Sequence, residues 1–141
     1  MSATAITYTQ LNATTAVTNL VSNRIWPDAA KRTDDEATPT LPYIVHRVSS
    51  RDRNYHLTGA PALQDVFVEL TIYAANSVSR QAVKDAVESA FDALPGTVGN
   101  WNVRSSRLRS EVDDYLDPED DSEEGVFVSV RDYQIVFKPS T

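Results

Sequence analysis

The residues best suited to chemistry are two histidines, one dense acidic run and two small groups of arginines. His46 and His56 lie ten residues apart, the first on a predicted strand and the second in a predicted loop. Neither belongs to an HExxH pattern or to any close pair of metal ligands. His46 therefore reads more naturally as a partly buried sheet residue. A Ser/His/Asp triad is defined by geometry rather than spacing, but no GxSxG elbow points to one here. The four glycines, at positions 59, 96, 99 and 125, form neither GxGxxG nor GxxxxGK[ST], so no phosphate-cradling loop is present. The chain has no cysteine, which removes thiol nucleophiles, disulfides, Cys zinc sites and iron–sulfur clusters. These residues supply no nucleophile and imply no cofactor.

The acidic run is the best candidate for a metal or a carboxylate reaction. Nine carboxylates and no lysine or arginine lie between Glu111 and Glu124. Asp117, Glu119 and Asp121 alternate as the first ligands of an EF-hand loop do, and hard cations take such oxygen ligands. However, position 122 is Ser where that loop needs its sharp-turning Gly, and no amphipathic helices flank the segment. The plainer reading is a solvated loop whose charges repel one another. Paired carboxylates for acid–base work have still less support, because nothing apolar nearby would raise a pKa.

The arginines fall into two groups. Arg51 and Arg53 stand beside Tyr55, and Arg104, Arg107 and Arg109 follow Trp101. Basic and aromatic residues together suit phosphate binding and base stacking. On a regular strand Arg107 and Arg109 share a face with Trp101 and Val103, and Arg104 lies opposite. The plainer reading pairs these arginines with neighbouring carboxylates on the surface. Arginine is also favoured at protein interfaces, so an assembly surface accounts for both groups without any reaction.

The elements that position these residues follow from periodicity. Apolar residues from Thr9 to Ile25 recur at helical steps, and Pro27 ends the pattern. A polar loop follows from Asp28 to Thr40. Alternation predicts a strand over Pro42–Ser50, with Tyr43 and Val45 on one face and Ile44, His46 and Val48 on the other. A long loop is expected at 51–64. A second strand over Asp65–Ala75 places Val66, Val68, Leu70, Ile72 and Ala74 on one face. Val83, Ala86, Val87, Ala90, Phe91 and Leu94 make the stripe of an amphipathic helix. Ser77 or Ser79 is its expected cap, Pro95-Gly96 its stop, and Lys84 falls on its polar side. Trp101–Arg109 and Val126–Phe137 read as two further strands, joined by an acidic hairpin loop at about 113–124.

These elements predict a single α+β domain in the order α-β-β-α-β-β. It consists of one layer of mostly antiparallel sheet, about four strands, packed with two helices. The length of 141 residues suits one domain with a core of its own. No apolar run approaches the roughly 18 residues needed to cross a bilayer, and Met1–Leu11 has no basic residue or apolar stretch of the kind a secretory signal carries. The absence of cysteine fits a reducing compartment. The formal charge is −7, yet outside the acidic run 11 acidic and 13 basic residues remain, a net of +2. A net-acidic chain is a poor general ligand for nucleic acid, whose affinity rests on phosphate contacts.

The linear order resembles a known family. The span from Asn23 to Leu94 has an N-terminal helix leading into Arg24-Ile25-Trp26-Pro27, then a polar loop. Next come Leu41-Pro42-Tyr43-Ile44-Val45 and the strand end Val48-Ser49-Ser50. After a loop, Val66-Phe67-Val68-Glu69-Leu70-Thr71-Ile72-Tyr73-Ala74 leads directly into the amphipathic helix. A strand, an acidic connection and a closing strand at Gly125-Val126-Phe127-Val128 complete the pattern. This is similar to the small phage tail-completion proteins, also called tail terminators or head–tail joining proteins.

The resemblance implies a structural subunit without an active site. It implies a homo-oligomeric ring, typically of six copies, that caps the tail tube protein and meets a head-completion or connector protein. DNA would be only passing cargo and no membrane would be involved. The expected place is the virion, at the tail or head–tail junction, after assembly in the host cytoplasm. A ring needs a heterologous interface, for which Arg51, Arg53, Tyr55, Arg104, Arg107 and Arg109 are the candidate contacts. Three alternatives stand beside this reading. They are another connector component such as a head-closure protein, a small cation-dependent binding module using Asp117, Glu119 and Asp121, and a hydrolase using carboxylates with His46 or His56.

Overall fold

A computed structural model describes residues 2–28, 40–53, 63–117 and 125–139 of the chain. The chain begins with two helices, α1 (Ser2–Ala13) and α2 (Thr15–Val21), where periodicity predicts one helix over Thr9–Ile25. The break is at Thr14, whose backbone is extended and whose hydroxyl bonds back to the Gln10 carbonyl at 2.7 Å. Helix α2 stops at Ser22, which adopts φ +53°, well before Pro27. Ile25–Pro27 then forms a short strand, β1.

The next strand runs three residues beyond its expected end at Ser50, and the one after it lies one residue earlier than expected. β2 spans Tyr43–Arg53 and β3 spans Gln64–Ala74, paired antiparallel with a bulge between Val48 and Ser50. Most of the loop expected at 51–64 lies outside the described residues, as do 29–39 of the first polar loop. Helix α3 (Ser77–Asp92) carries the predicted stripe, and Val83, Ala86, Val87, Ala90, Phe91 and Leu94 are all buried. Its cap is Asn76 rather than a serine: Asn76 Oδ1 accepts the Ser79 backbone N–H at 2.8 Å. That satisfies one of the helix's orphan donors.

A short β4 (Gly96–Val98) leads into β5 (Trp101–Leu116) and β6 (Val126–Pro139). The described residues thus form three helices and one six-stranded sheet of order β1-β2-β3-β6-β5-β4. The class is α+β as expected, with two more strands and one more helix. Only β1–β2 is parallel.

Helices α1 and α3 pack on one face of the sheet, and α2 packs against both of them. Ile44, Val66, Val68, Leu70, Ile72, Ile135 and Phe137 rise from the strands to meet Ile6, Leu11, Val17, Val21 and the α3 stripe. The alternation predicted for β2 and β3 holds residue by residue. Gln10 ties α1 to α3 by donating to the Ala90 carbonyl at 2.8 Å. Phe91 stacks on Tyr133 with ring centroids 4.1 Å apart.

His46 belongs to this core. It is 1% exposed, and neither ring nitrogen has a hydrogen-bond partner among the described residues. Burial lowers its pKa, opposed in part by the charge of Asp28. Below about pH 6.5 the unfolded chain takes up a proton that the native imidazole refuses. Stability should therefore be level above that pH and fall below it, until the native group titrates in turn. His46→Leu should flatten this slope in denaturant midpoints measured between pH 7 and pH 5.

Candidate assembly interface

β5 carries one of the two arginine groups and the start of the acidic run. Its inner edge pairs with β6 from Trp101 to Leu116. Its outer edge pairs with β4 only at Trp101–Val103. Beyond Val103, among the described residues, the outer edge has no strand beside it. Such an edge offers a row of unpaired N–H and C=O groups to another strand.

Two bulges, between Val103 and Ser105 and between Leu108 and Ser110, decide where the arginines point. Each extra residue shifts the alternation by one. Arg104 and Arg109 sit at the bulges, and Arg107 pairs with Gln134 on the face away from the helices. This corrects the expectation that Arg107 and Arg109 share a face with Trp101 and Val103. All three arginines are exposed, and none has an ion-pair partner among the described residues. The described acidic residues that follow them in sequence do not pair with them.

Those acidic residues are engaged elsewhere, because the strand continues through Leu116 where a loop from about 113 is expected. Glu111 and Asp113 point toward α3 and close over Lys84. The Lys84 ammonium donates to Asp113 at 2.8 Å and to Glu111, and Arg131 pairs with Glu111 at 3.3 Å. Lys84 is 6% exposed, contrary to its expected place on the solvent side of the helix. Burial opposes its charge, yet the Asp113 and Glu111 hydrogen bonds outweigh that and raise its pKa. Lys84 in turn lowers the pKa of Asp113. One helical turn earlier, Arg80 donates to the Asp114 carbonyl at 3.0 Å and lies over the Phe127 ring. Together, Arg80 and Lys84 fasten the far end of the β5–β6 hairpin to α3.

Asp117 is exposed at the end of β5; Glu119 and Asp121 lie outside the described residues. Among the described residues no group of three or more His, Asp or Glu side chains is arranged to hold a metal ion. On the other side of the molecule, Arg51 and Arg53 belong to β2 rather than to a loop. Tyr55 and His56 lie outside the described residues.

Among the described residues, nothing covers the sheet face turned away from the helices. Trp26, Tyr43 and Tyr73 form an aromatic row on it, with centroids 5.5 and 4.7 Å apart. Beside them Arg47 holds Glu69 at 3.1 Å, Gln134 donates to Asp65 at 2.8 Å, and Ser110 donates to Asp132 at 3.0 Å. A shallow concavity there is lined by Asp28, Val45, Arg47, Glu69, Thr71 and Tyr73. His46 is on the opposite, buried face, so the sheet does not bring an imidazole to this surface.

Among the described residues, the sheet thus has one sealed face, one open face and a long charged edge. Residues 6–137 match the family described as tail completion protein gp17, and the chain belongs to that family. It is accordingly a virion-associated tail protein with a structural role in phage assembly. Among solved structures, a chain from a virion of a native gene transfer agent (GTA) particle is similar, with a TM-score of 0.54 at 18% identity. The match covers 93% of this chain and 91% of that one, and shows a shared fold. No curated protein matches. Among the described residues no helix is long and apolar enough to cross a membrane.

Proposed function

We propose that the protein is a tail terminator: a non-enzymatic subunit that closes into a ring, probed first as six copies, and caps the tail tube. One ring face meets the tube protein and the other meets a head-completion or connector protein, with DNA passing through as cargo. The subunit acts as one domain and joins the virion during assembly in the host cytoplasm. The observation that carries this reading is the family match over residues 6–137. The open edge of β5 supports it, since a ring needs two different surfaces on each subunit. Arg51 and Arg53 on one side and Arg104, Arg107 and Arg109 on the other supply contacts to neighbouring subunits or partners, with Tyr55 a further candidate from the sequence. Native mass across a concentration series, alone and with the tail tube protein, tests it. A discrete closed oligomer near six copies is the expected result; a monomer throughout would overturn it.

A further inference from the structure

The sheet ends in two incompletely covered edges, and their positions select how two copies fit together. β1 lies beside Ile44–His46 of β2, and β4 lies beside Trp101–Val103 of β5. Among the described residues, the outer edges of Arg47–Arg53 and Arg104–Leu116 have no strand beside them. Across the sheet, Tyr43, Tyr73, Val128 and Asp114 form one row, and Arg53, Gln64, Phe137 and Val103 form another at the opposite end. β2, β3, β6 and β5 alternate in direction. A second copy rotated about an axis parallel to the strands therefore brings its β2 antiparallel to β5.

The stagger of that junction is also constrained. If the rows of the two copies ran level, the incoming β1 would occupy the place of β5 at Glu111–Asp113. The level arrangement would also put Arg47–Arg53 against the stretch carrying Arg104, Arg107 and Arg109. A shift must be even, because an odd one would join the helix face of one copy to the open face of the next. A shift of four still overlaps β1 with Tyr115 and Leu116. Six is the smallest shift that carries β1 past the strand end. Closing a sheet on itself requires a stagger of this kind.

From this geometry, and resting on the ring reading above, we propose that β2 residues 47–53 of one copy pair antiparallel with β5 residues 116–111 of the next, joining their sheets edge to edge. In that register position Arg51 faces Asp113 and position Arg53 faces Glu111, each pair on the same face of the sheet. Asp52 faces Val112, and Arg47 faces Leu116. The charge pattern agrees with this shift. Positions 47–53 carry three arginines and one aspartate, whereas 111–117 carry four carboxylates and no base. Opposite charges facing each other across strands stabilise a pair. The junction would also cover Val112 and Leu116, now 59% and 49% exposed.

The chain lacks cysteine, so introduced pairs report without background. Within one copy positions 52 and 112 are separated by two intervening strands, roughly 14 Å, and by the stagger. That is beyond disulfide reach. Mild oxidation of Asp52→Cys/Val112→Cys should give covalent multimers up to the ring size on a denaturing, non-reducing gel. The single variants should give no such ladder. Arg47→Cys/Leu116→Cys should behave in the same way and guards against misfolding of the first pair. Asp52→Cys/Ser105→Cys reports the level register. A native ring in which neither staggered pair cross-links, or in which only the 52/105 pair does, would overturn the edge pairing and leave the ring reading standing. Monomers without cross-links, with and without the tail tube protein, would overturn both.

Discussion

Truncating Phe91 to alanine should remove about 4 kcal/mol of stability, the middle of the range for a buried phenylalanine. The ring is 1% exposed, stacks on Tyr133, and lies where α3 meets the sheet. For a chain of this length, 4 kcal/mol corresponds to a fall of roughly 15 °C in Tm. Phe91→Leu keeps most of the volume and should lose only about 1.5 kcal/mol. Urea unfolding followed by far-ultraviolet circular dichroism measures both. Equal losses in the two variants would mean that ring shape, rather than filled volume, holds α3 in place.

Lys84→Met should have the second largest effect and a different character. Methionine fills the space of the lysine stem but leaves Asp113 without its cation and Glu111 with Arg131 alone. Breaking a fully buried ion pair costs about 3–5 kcal/mol. Here Glu111 and Asp113 remain 32% and 37% exposed and can recover water, so the loss should be roughly 2 kcal/mol. It should also carry a pH mark. The lowered pKa of Asp113 means that its contribution is present above about pH 4 and is lost as pH falls through its native value. The variant should lose this acid-side slope, read from denaturant midpoints between pH 5 and pH 2. It should also loosen the β5–β6 hairpin, seen as faster amide exchange at residues 111–116 than in the rest of β5.

The parts legible in the sequence are those where one physical signal dominated. In β3 every second residue is apolar, and in α3 the stripe is continuous, so both elements and their buried faces follow from pattern alone. His46 on the inward face of β2 was legible for the same reason. The N-terminal helices were harder: Ala3, Ile6 and Leu11 are separated by threonines, and the break at Thr14 has no proline or glycine to mark it. β5 departs from its sequence pattern in two ways. Its acidic half has low strand propensity, so it reads as a loop, whereas pairing with β6 and the cations of α3 hold it extended. Its bulges leave no mark in residue type, so the faces of Arg107 and Arg109 could not be counted from Trp101. Lys84 was missed because a lysine on an amphipathic helix ordinarily faces water. Only the arrival of Glu111 and Asp113 from a distant strand explains its burial. The family resemblance, carried by the order of elements rather than by any catalytic residue, survived these local errors.

The pairing of β3 with β6 sets a schedule for synthesis. β3 lies in the middle of the finished sheet, yet its neighbour β6 is the last strand described, ending 65 residues after Ala74. At about 5–20 residues per second a ribosome needs roughly 3–13 s to make that stretch. Until then β3 is itself an edge, and β5 has no template against which to extend. A nascent chain therefore cannot pair β5 along its length before β6 has been made. The order of synthesis thus leaves the middle of the sheet to be completed last, by the pairing of β6 between β3 and β5.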